Sequence, residues 1–314
     1  RPGAPRHGES RAGPPAGARV RGKDMSLFVA SVGFGLITSA VLAIAALGFT
    51  LQFAVTDVLN LAFAAVMTLA GFVAYWVNNA GLSVWLGLVV SMAVGSLVSV
   101  LLNYFVYSPF QRRGSAPITL VIVSLGMALI IEFGVAAIVG GVNVSYAMSQ
   151  GSTLRLGGMT LTTVQLTIIA ISLVVMAGVH ALLRYTKLGK AMRATAANRT
   201  LARNCGIRAS RVIAVTWALT GALCGLAGTV FAIDIGSFDP FSTDLFLILI
   251  LAAVFLGGPG NAYGAMLGAL VIGLATEISA GLPFIQADYK YVVAFVALLA
   301  MLAVRPTGLL GART

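Results

Sequence analysis

Two groups of side chains in this sequence stand where they could do chemistry. The first is a run of cations. Arg184, Lys187, Lys190, Arg193, Arg199, Arg203, Arg208 and Arg211 fall within 184–211, a stretch without Asp or Glu. Cations at that density can hold an anionic surface or the groove of another protein, and they decide which side of a bilayer a loop occupies. The second group is Gln52, Asn60, Asn103, Glu132 and Glu277, each lying in or beside a long apolar run. Polar groups so placed face a cavity or a partner helix. They are therefore candidates for a translocation path, with interhelical hydrogen bonding the commoner role. Gln52 and Asn60 flank a short turn, 54–59, with its Asp57, and are read as stabilising it. No Ser/His/Asp set, Cys/His pair, metal-ligand cluster or paired carboxylates occur at useful spacing, so the chain is not read as an enzyme and no metal is expected. His7 and His180 lie far apart, and Cys205 and Cys224 are isolated, which indicates no disulfide framework.

The elements that must position these residues are membrane spans. Hydrophobic residues make up 59% of the chain and charged residues 9%, where soluble domains carry about a quarter charged. The net charge of +11 sits in the N-terminal tail and the basic loop. Orientation in a bilayer explains that placement better than nucleic-acid binding does, so the lipid bilayer is the expected partner and nucleic acid is not. Apolar runs fall at 29–53, 59–77, 82–106, 118–139, 164–183, 212–233, 245–256, 262–278 and 291–304. Most reach the roughly 20 residues that cross the hydrocarbon as helix. The run 245–256 is too short unless tilted, re-entrant or packed inside the bundle, so the expectation is an all-α polytopic bundle of eight or nine transmembrane helices. The sequence shows no residue-level repeat, and an inverted repeat stays open.

The positive-inside rule puts 184–211 in the cytoplasm. Walking outward, Arg112 and Arg113 fall inside with Arg305 and Arg313 at the C-terminus, while 140–163 and the cluster Asp234, Asp239 and Asp244 fall outside. The end near Met25 is then extracytoplasmic. Residues 1–24, rich in Arg, Gly, Pro and Ala, are read as a disordered basic extension. Their charge would face the wrong side, which fits translation starting at Met25 and a preceding stretch that is upstream or cloning-derived sequence. Residues 25–314 form one transmembrane domain. Small residues recur at four-residue spacing in Gly221-x3-Gly225 with Gly228, and in Gly264-x3-Gly268 with Gly273. They are read as faces where helix backbones approach closely.

Within the basic loop, Thr186 is placed to cap a short helix running to Ala197, and Asn198 to cap a second, Arg199–Cys205, ended by Gly206. Two short interfacial helices with a break at Asn198 could dock into a groove on another protein or rest on anionic headgroups.

At this point the sequence resembles a family. Thr186-Lys-Leu-Gly189-Lys-Ala191-Met-Arg193-Ala194 with Asn198, Ala202, Gly206-Ile207 and Arg211-Val212-Ile213 is similar to the cytoplasmic loop of ABC-importer permeases, and of the branched-chain amino acid permeases (LivH-type and LivM-type subunits) above all. Asn60-Leu-Ala-Phe63 resembles the family's turn into the second span. Gly257-Gly258-Pro-Gly260-Asn-Ala-Tyr-Gly264-Ala265-Met-Leu-Gly268, followed by Glu277, resembles its glycine signature. Arg305-Pro306-Thr-Gly308-Leu309-Leu-Gly311 resembles its C-terminal motif. The likeness covers 25–314. Phe63 and Ala64 stand where many members carry His and Gly, and Arg199 where proline is common.

The resemblance implies a permease subunit of an ATP-driven importer in a bacterial inner membrane, moving branched-chain or related hydrophobic amino acids by alternating access. It implies no cofactor in this chain, since Gly257–Gly264 lacks the Lys-Ser/Thr of a phosphate loop. ATP and magnesium would sit on separate cytoplasmic subunits gripping Thr186, Gly189, Arg193, Asn198, Ala202 and Gly206, with Arg193 contacting the ATPase groove and Asn198 fixing the bend. A second homologous permease, as heterodimer or homodimer, and an extracytoplasmic binding protein complete the implied assembly. A permease of the same superfamily for sugars, urea or short amides, and an ion-coupled carrier acting alone, are the alternatives.

Overall fold

The computed structural model describes residues 16–148, 151–156, 159–281, 289–304 and 308–310. The chain runs as α1 (Ala16–Thr56), α2 (Ala62–Asn79), α3 (Val84–Leu102), a π-helical turn (Asn103–Tyr107), α4 (Ser108–Arg112), α5 (Pro117–Val139), β1 (Thr153–Leu156), β2 (Met159–Thr162), α6 (Thr163–Tyr185), α7 (Lys187–Ala197), α8 (Arg199–Asn204), α9 (Ala209–Ile235), α10 (Asp244–Gly257), α11 (Ala262–Ala280) and α12 (Lys290–Val304). Among the described residues seven helical segments are long and apolar enough to cross a membrane, and α10 and α12 are apolar but shorter. All nine expected apolar runs are helices, but the count of full-length spans falls below the eight or nine expected. Helix α1 reaches back to Ala16, into the stretch expected to be unstructured, while residues 1–15 lie outside the described residues.

Helix α9 is the centre of the bundle. Its apolar window is 72% buried, against 22% for α5 and for α6, whose outer faces carry exposed aliphatic and aromatic side chains. Its glycine face explains that position. A Cβ at Gly221 would land on the Gly95 carbonyl, at Gly225 on the Ser91 carbonyl, and at Gly228 on the Met67 carbonyl. The glycines thus bring α9 into backbone contact with α3 and α2, the arrangement that drives helix association where no water is present to expel. Ser91 closes the seam, accepting from the Thr229 hydroxyl at 2.7 Å and donating to the Leu88 carbonyl at 2.8 Å.

Helix α10 does not cross on its own. The Thr243 hydroxyl lies 2.5 Å from that of Thr68 and donates to the Ala64 carbonyl at 3.0 Å. Both partners sit in the first two turns of α2, so α10 starts well within the bundle. Its 14 residues rise about 21 Å, short of the roughly 30 Å hydrocarbon, and Phe246, Leu249, Ile250, Ala253 and Val254 are buried. The run 245–256 is therefore a half-helix packed inside.

Helices α10 and α11 meet backbone to backbone, Gly257 against Gly264 and Ala253 against Gly268. The C-terminal motif docks on the same junction. Leu309 and Leu310 donate their amides to the carbonyls of Leu256 and Gly257 at 2.8 and 3.1 Å, and the Asn261 side-chain amide donates to the Leu310 carbonyl at 2.8 Å. Arg305, Pro306 and Gly311 of that motif lie outside the described residues. One departure from an all-α reading occurs at the end of the bundle opposite the basic loop. There β1 and β2 pair antiparallel, Thr153 facing Thr162, and a capping box of Thr162 and Gln165 starts α6 directly from the hairpin.

Candidate functional site

The basic loop folds as its capping residues require. The Thr186 hydroxyl accepts from the Gly189 amide at 3.0 Å and starts α7. The Asn198 Oδ1 accepts from the Leu201 amide at 2.9 Å and starts α8. Gly206 takes a φ of +82° just beyond α8, which ends one residue before the expected Cys205. Gly189 is where α7 touches the end of α6, since a Cβ there would collide with the Leu182 carbonyl and with Leu183. Gly189, Met192 and Thr195 of α7 and Ala202 of α8 are buried. Arg193, expected to reach an ATPase groove, is exposed and donates from a guanidinium nitrogen to the Leu183 carbonyl within this chain, which leaves its other donors free of that bond. That contact stitches α7 to the last turn of α6, and α7 also packs on α1 and α9. The short helices are thus mounted on three long ones, so a push on α7 is delivered to all of them.

The outer surface of this platform is cationic. Lys187, Lys190, Arg199, Arg203 and Arg208 are exposed and have no acidic partner among the described residues. Although Arg199 is exposed, partial desolvation of its guanidinium, and then the neighbouring Arg203 guanidinium, pull its pKa below the ordinary value. Leu201 is an apolar side chain 59% exposed between these arginines. Arg112, Arg199 and Arg203 also line a cavity of about 610 Å3 against Asn103 and Ser108 of the π-turn region.

The five polar candidates do not converge on one path. Asn60 is buried at the start of α2, where its Oδ1 accepts from the Ala62 amide at 3.1 Å and from the Tyr107 hydroxyl at 2.6 Å. The Tyr107 ring stacks on Trp217 at 4.9 Å. Gln52 is buried, and among the described residues its Nε2 finds no partner, nor do Thr50 Oγ1 and Trp217 Nε1. Asn103 faces the arginine-lined cavity. Glu132 is buried on α5 beside Asp244, the exposed first residue of α10. Glu277 lies in a different cavity at the far end, with Thr38, Asp234 and Lys290. Phe63, in the position where relatives of the resembled family often carry histidine, packs edge-on against Phe49 at 5.6 Å. Sequence reasoning missed Tyr107 and Lys290. The one signal was a lone lysine opening an apolar run.

The Asn60–Tyr107 contact has a measurable consequence. Tyr107→Phe keeps the ring stack and removes the hydroxyl, leaving Asn60 short of one partner in a dry environment. A loss of about 1–2 kcal/mol is expected, read as a lower melting temperature of the purified chain, with no change in yield.

The signature glycines are structural. Gly257, Gly264 and Gly268 form the α10–α11 contact. Gly258, at φ +108°, and Gly260, at φ +83°, turn the chain between those helices. Asn261 then caps α11 by accepting from the amides of Tyr263 and Gly264. This turn, the end of α1 and α7 enclose a third cavity of about 560 Å3, lined by Ala54, Asp57, Met192, Arg193, Pro259 and Tyr263. The glycine signature and the basic loop, distant in sequence, thus face each other across one space.

The family model for the branched-chain amino acid transport system permease component matches residues 31–302. Among curated relatives, the high-affinity branched-chain amino acid transport system permease protein LivH of Escherichia coli (strain K12) is 26% identical over 291 residues, covering 88% of this chain and 93% of its own length. BraD of Pseudomonas aeruginosa, described in the same terms, is 28% identical over 292 residues, 88% of this chain and 94% of its own. The fructose import permease protein FruF of Bifidobacterium longum is 25% identical over 244 residues, 73% of this chain and 64% of its own. No solved structure matches. With the family model covering most of a multi-pass apolar bundle that carries both the basic loop and the glycine signature, the chain belongs to the branched-chain amino acid transport permease family.

Proposed function

We propose that this chain is the membrane-spanning subunit of an ATP-driven importer of branched-chain or related hydrophobic amino acids, working by alternating access. The observation that carries the reading is the α7–α8 platform, an exposed cationic surface rigidly mounted on α1, α6 and α9. Separate ATP-binding subunits hold ATP and magnesium, and their closure pushes on this surface. Movement of α7 then rocks the long helices it is packed against and changes which end of the bundle is open. An external binding protein delivers the amino acid at the opposite end. A second permease covers the face bearing Asp244, Phe241 and Phe133. An exposed carboxylate beside Glu132 on an otherwise apolar helix is costly against lipid and is accommodated against another subunit or a central path.

The test is reconstitution into proteoliposomes with candidate ATPase, second permease and binding protein. ATP-dependent accumulation of labelled L-leucine is expected. Accumulation of labelled fructose instead of leucine would move the substrate to the sugars, and uptake without any ATPase would overturn the reading. Orientation has its own reporter. Cys205 is exposed on the loop and Cys224 is buried, so the native chain carries one accessible thiol among its described residues. A membrane-impermeant maleimide is expected to label Cys205 only after the cells are opened. Labelling in intact cells would invert the topology. Thr195, a nearby position for such a probe, is 3% exposed and unsuitable.

A further inference from the structure

The far end of the bundle holds a cavity of about 370 Å3 between α1, α6, α9, α10, α11 and α12. Its chemistry is divided. One part carries Thr38, Asp234, Glu277 and Lys290, and the other is walled by Ile37, Val41, Phe231, Phe246 and Leu249. On the polar side Lys290 Nζ lies 3.4 Å from Glu277 Oε1, and the Thr38 hydroxyl donates to the same oxygen at 3.3 Å. Asp234 lines the same space, near enough to interact with both charges. It has no hydrogen bond or ion pair among the described residues.

We propose that this cavity binds the zwitterionic head of an aliphatic amino acid, its ammonium on Asp234 and its carboxylate on Lys290. The proposal rests on the importer reading above and adds a site to it. Glu277 and Lys290 satisfy one another, whereas Asp234 is a carboxylate with no hydrogen-bonding partner among the described residues, in a half-buried place where that is costly. A purely structural ion pair joining α11 to α12 would need only Glu277 and Lys290. It leaves Asp234, on a third helix, unexplained. An α-amino acid gives Asp234 an ammonium partner and Lys290 a second carboxylate to hold, while leaving the net charge of the site unchanged. Seated between Asp234 and Lys290 it makes the sequence carboxylate, ammonium, carboxylate, ammonium, carboxylate, alternating in sign from Asp234 to Glu277. Lys290 has donors to spare for this, since an ammonium offers three and Glu277 takes one. The apolar wall then receives the side chain. Gln165, Ser242 and Tyr291 line the cavity as well, but Ile37, Val41, Phe231, Phe246 and Leu249 offer no hydrogen bond, which favours an aliphatic group against them. The wall is formed by α1, α9 and α10, all reached from the α7 platform directly or through α1, so occupancy and coupling are joined through the same helices.

The experiment separates this site from the importer reading. The purified full chain is placed in lipid nanodiscs without ATPase or binding protein, and L-leucine binding is followed by ligand-observed NMR. Saturation transfer to the leucine methyl groups is expected. 4-Methylpentanoate, which lacks the ammonium, and leucinol, which lacks the carboxylate, are each expected to bind about tenfold or more weakly, the usual consequence of losing a charge-assisted hydrogen bond. These comparisons use the unaltered chain and do not depend on a variant folding. Asp234→Asn is expected to weaken leucine by a similar factor while leaving 4-methylpentanoate unchanged, and Asp234→Glu to restore part of the loss. No transfer to leucine, either analogue binding as tightly as leucine, or an Asp234→Asn chain that binds leucine like the original would overturn the site. If the complete transporter still accumulated leucine, the importer reading would stand without it. If leucine bound as expected but the complete transporter carried no amino acid, the importer reading alone would fall.

Discussion

Replacing Gly264 by valine is expected to leave no folded chain. A Cβ at this position would overlap the Gly257 carbonyl, and one at Gly257 would overlap the Gly264 carbonyl in return. The clash is between two backbones, so no rotamer change relieves it. One turn on, Gly268 is pressed on the Ala253 carbonyl, and the pair cannot slide to make room. Nor can α11 retreat, because Gly273 is already against Ser39 of α1. Displacing the end of α10 would also break the amide bonds from Leu309 and Leu310 and the Asn261 bond that hold the C-terminal motif. Overpacking costs about 1–3 kcal/mol in cores that can adjust. Here, with backbone on both sides, more than about 3 kcal/mol is expected, a large part of any domain's stability. Gly264→Ala should lower the melting temperature measurably, and Gly264→Val should give aggregated protein on size-exclusion chromatography. Gly178→Ala is the control. An added Cβ there meets nothing within 4 Å, and alanine in a helix interior gains up to about 1 kcal/mol over glycine. Equal melting temperatures for Gly264→Val and Gly178→Ala would remove close backbone approach as the reason for the signature.

What could be read from the sequence divides along the same line as local and distant interactions. The platform was legible nearly to the residue. Thr186, Asn198 and Gly206 act on amides and dihedrals within three residues of themselves, and cap rules work at that range. The glycine faces of α9 and α11 were legible because a four-residue spacing places small residues on one side of a helix whatever the partner. The destination of each polar side chain was not. Thr38 and Glu277 meet across 239 residues of sequence and Thr68 and Thr243 across 175, and hydropathy says nothing about how a helix is rotated against its neighbour. Arg193 illustrates the same limit. The loop sequence marks it as a cation, but not that one of its nitrogens meets a carbonyl that α6 leaves unsatisfied at its end. The depth of α10 was hidden as well. Its length showed it was too short, but only the Thr243 contacts show where it begins.

The platform can be disabled from outside or from inside, and the two should fail differently. Leu201→Glu changes an exposed apolar side chain whose neighbours Arg199 and Arg203 are exposed too. The α8 cap uses only the backbone amide of Leu201, so the helix is kept and a stability change within about 0.5 kcal/mol is expected. A docking surface loses much more. An apolar anchor removed from the centre of an interface commonly costs about 2 kcal/mol or more, and a buried carboxylate adds a desolvation cost. ATP-driven leucine uptake is therefore expected to fall at least about thirtyfold. Co-purification of the ATPase should be lost while the melting temperature holds. Gly189→Val acts on the other side of α7. Its side chain would strike the Leu182 carbonyl and Leu183, prising α7 off α6 while leaving Leu201 and the cations where a partner can reach them. That chain should still retain some ATPase, with ATP hydrolysis continuing but uptake lost, because the push no longer reaches α6. If Leu201→Glu, combined with Lys190→Glu, neither released the ATPase nor slowed uptake, α7 and α8 would not be where force enters the bundle, and the rigid mounting of the loop on α1, α6 and α9 would have to serve a purely structural end.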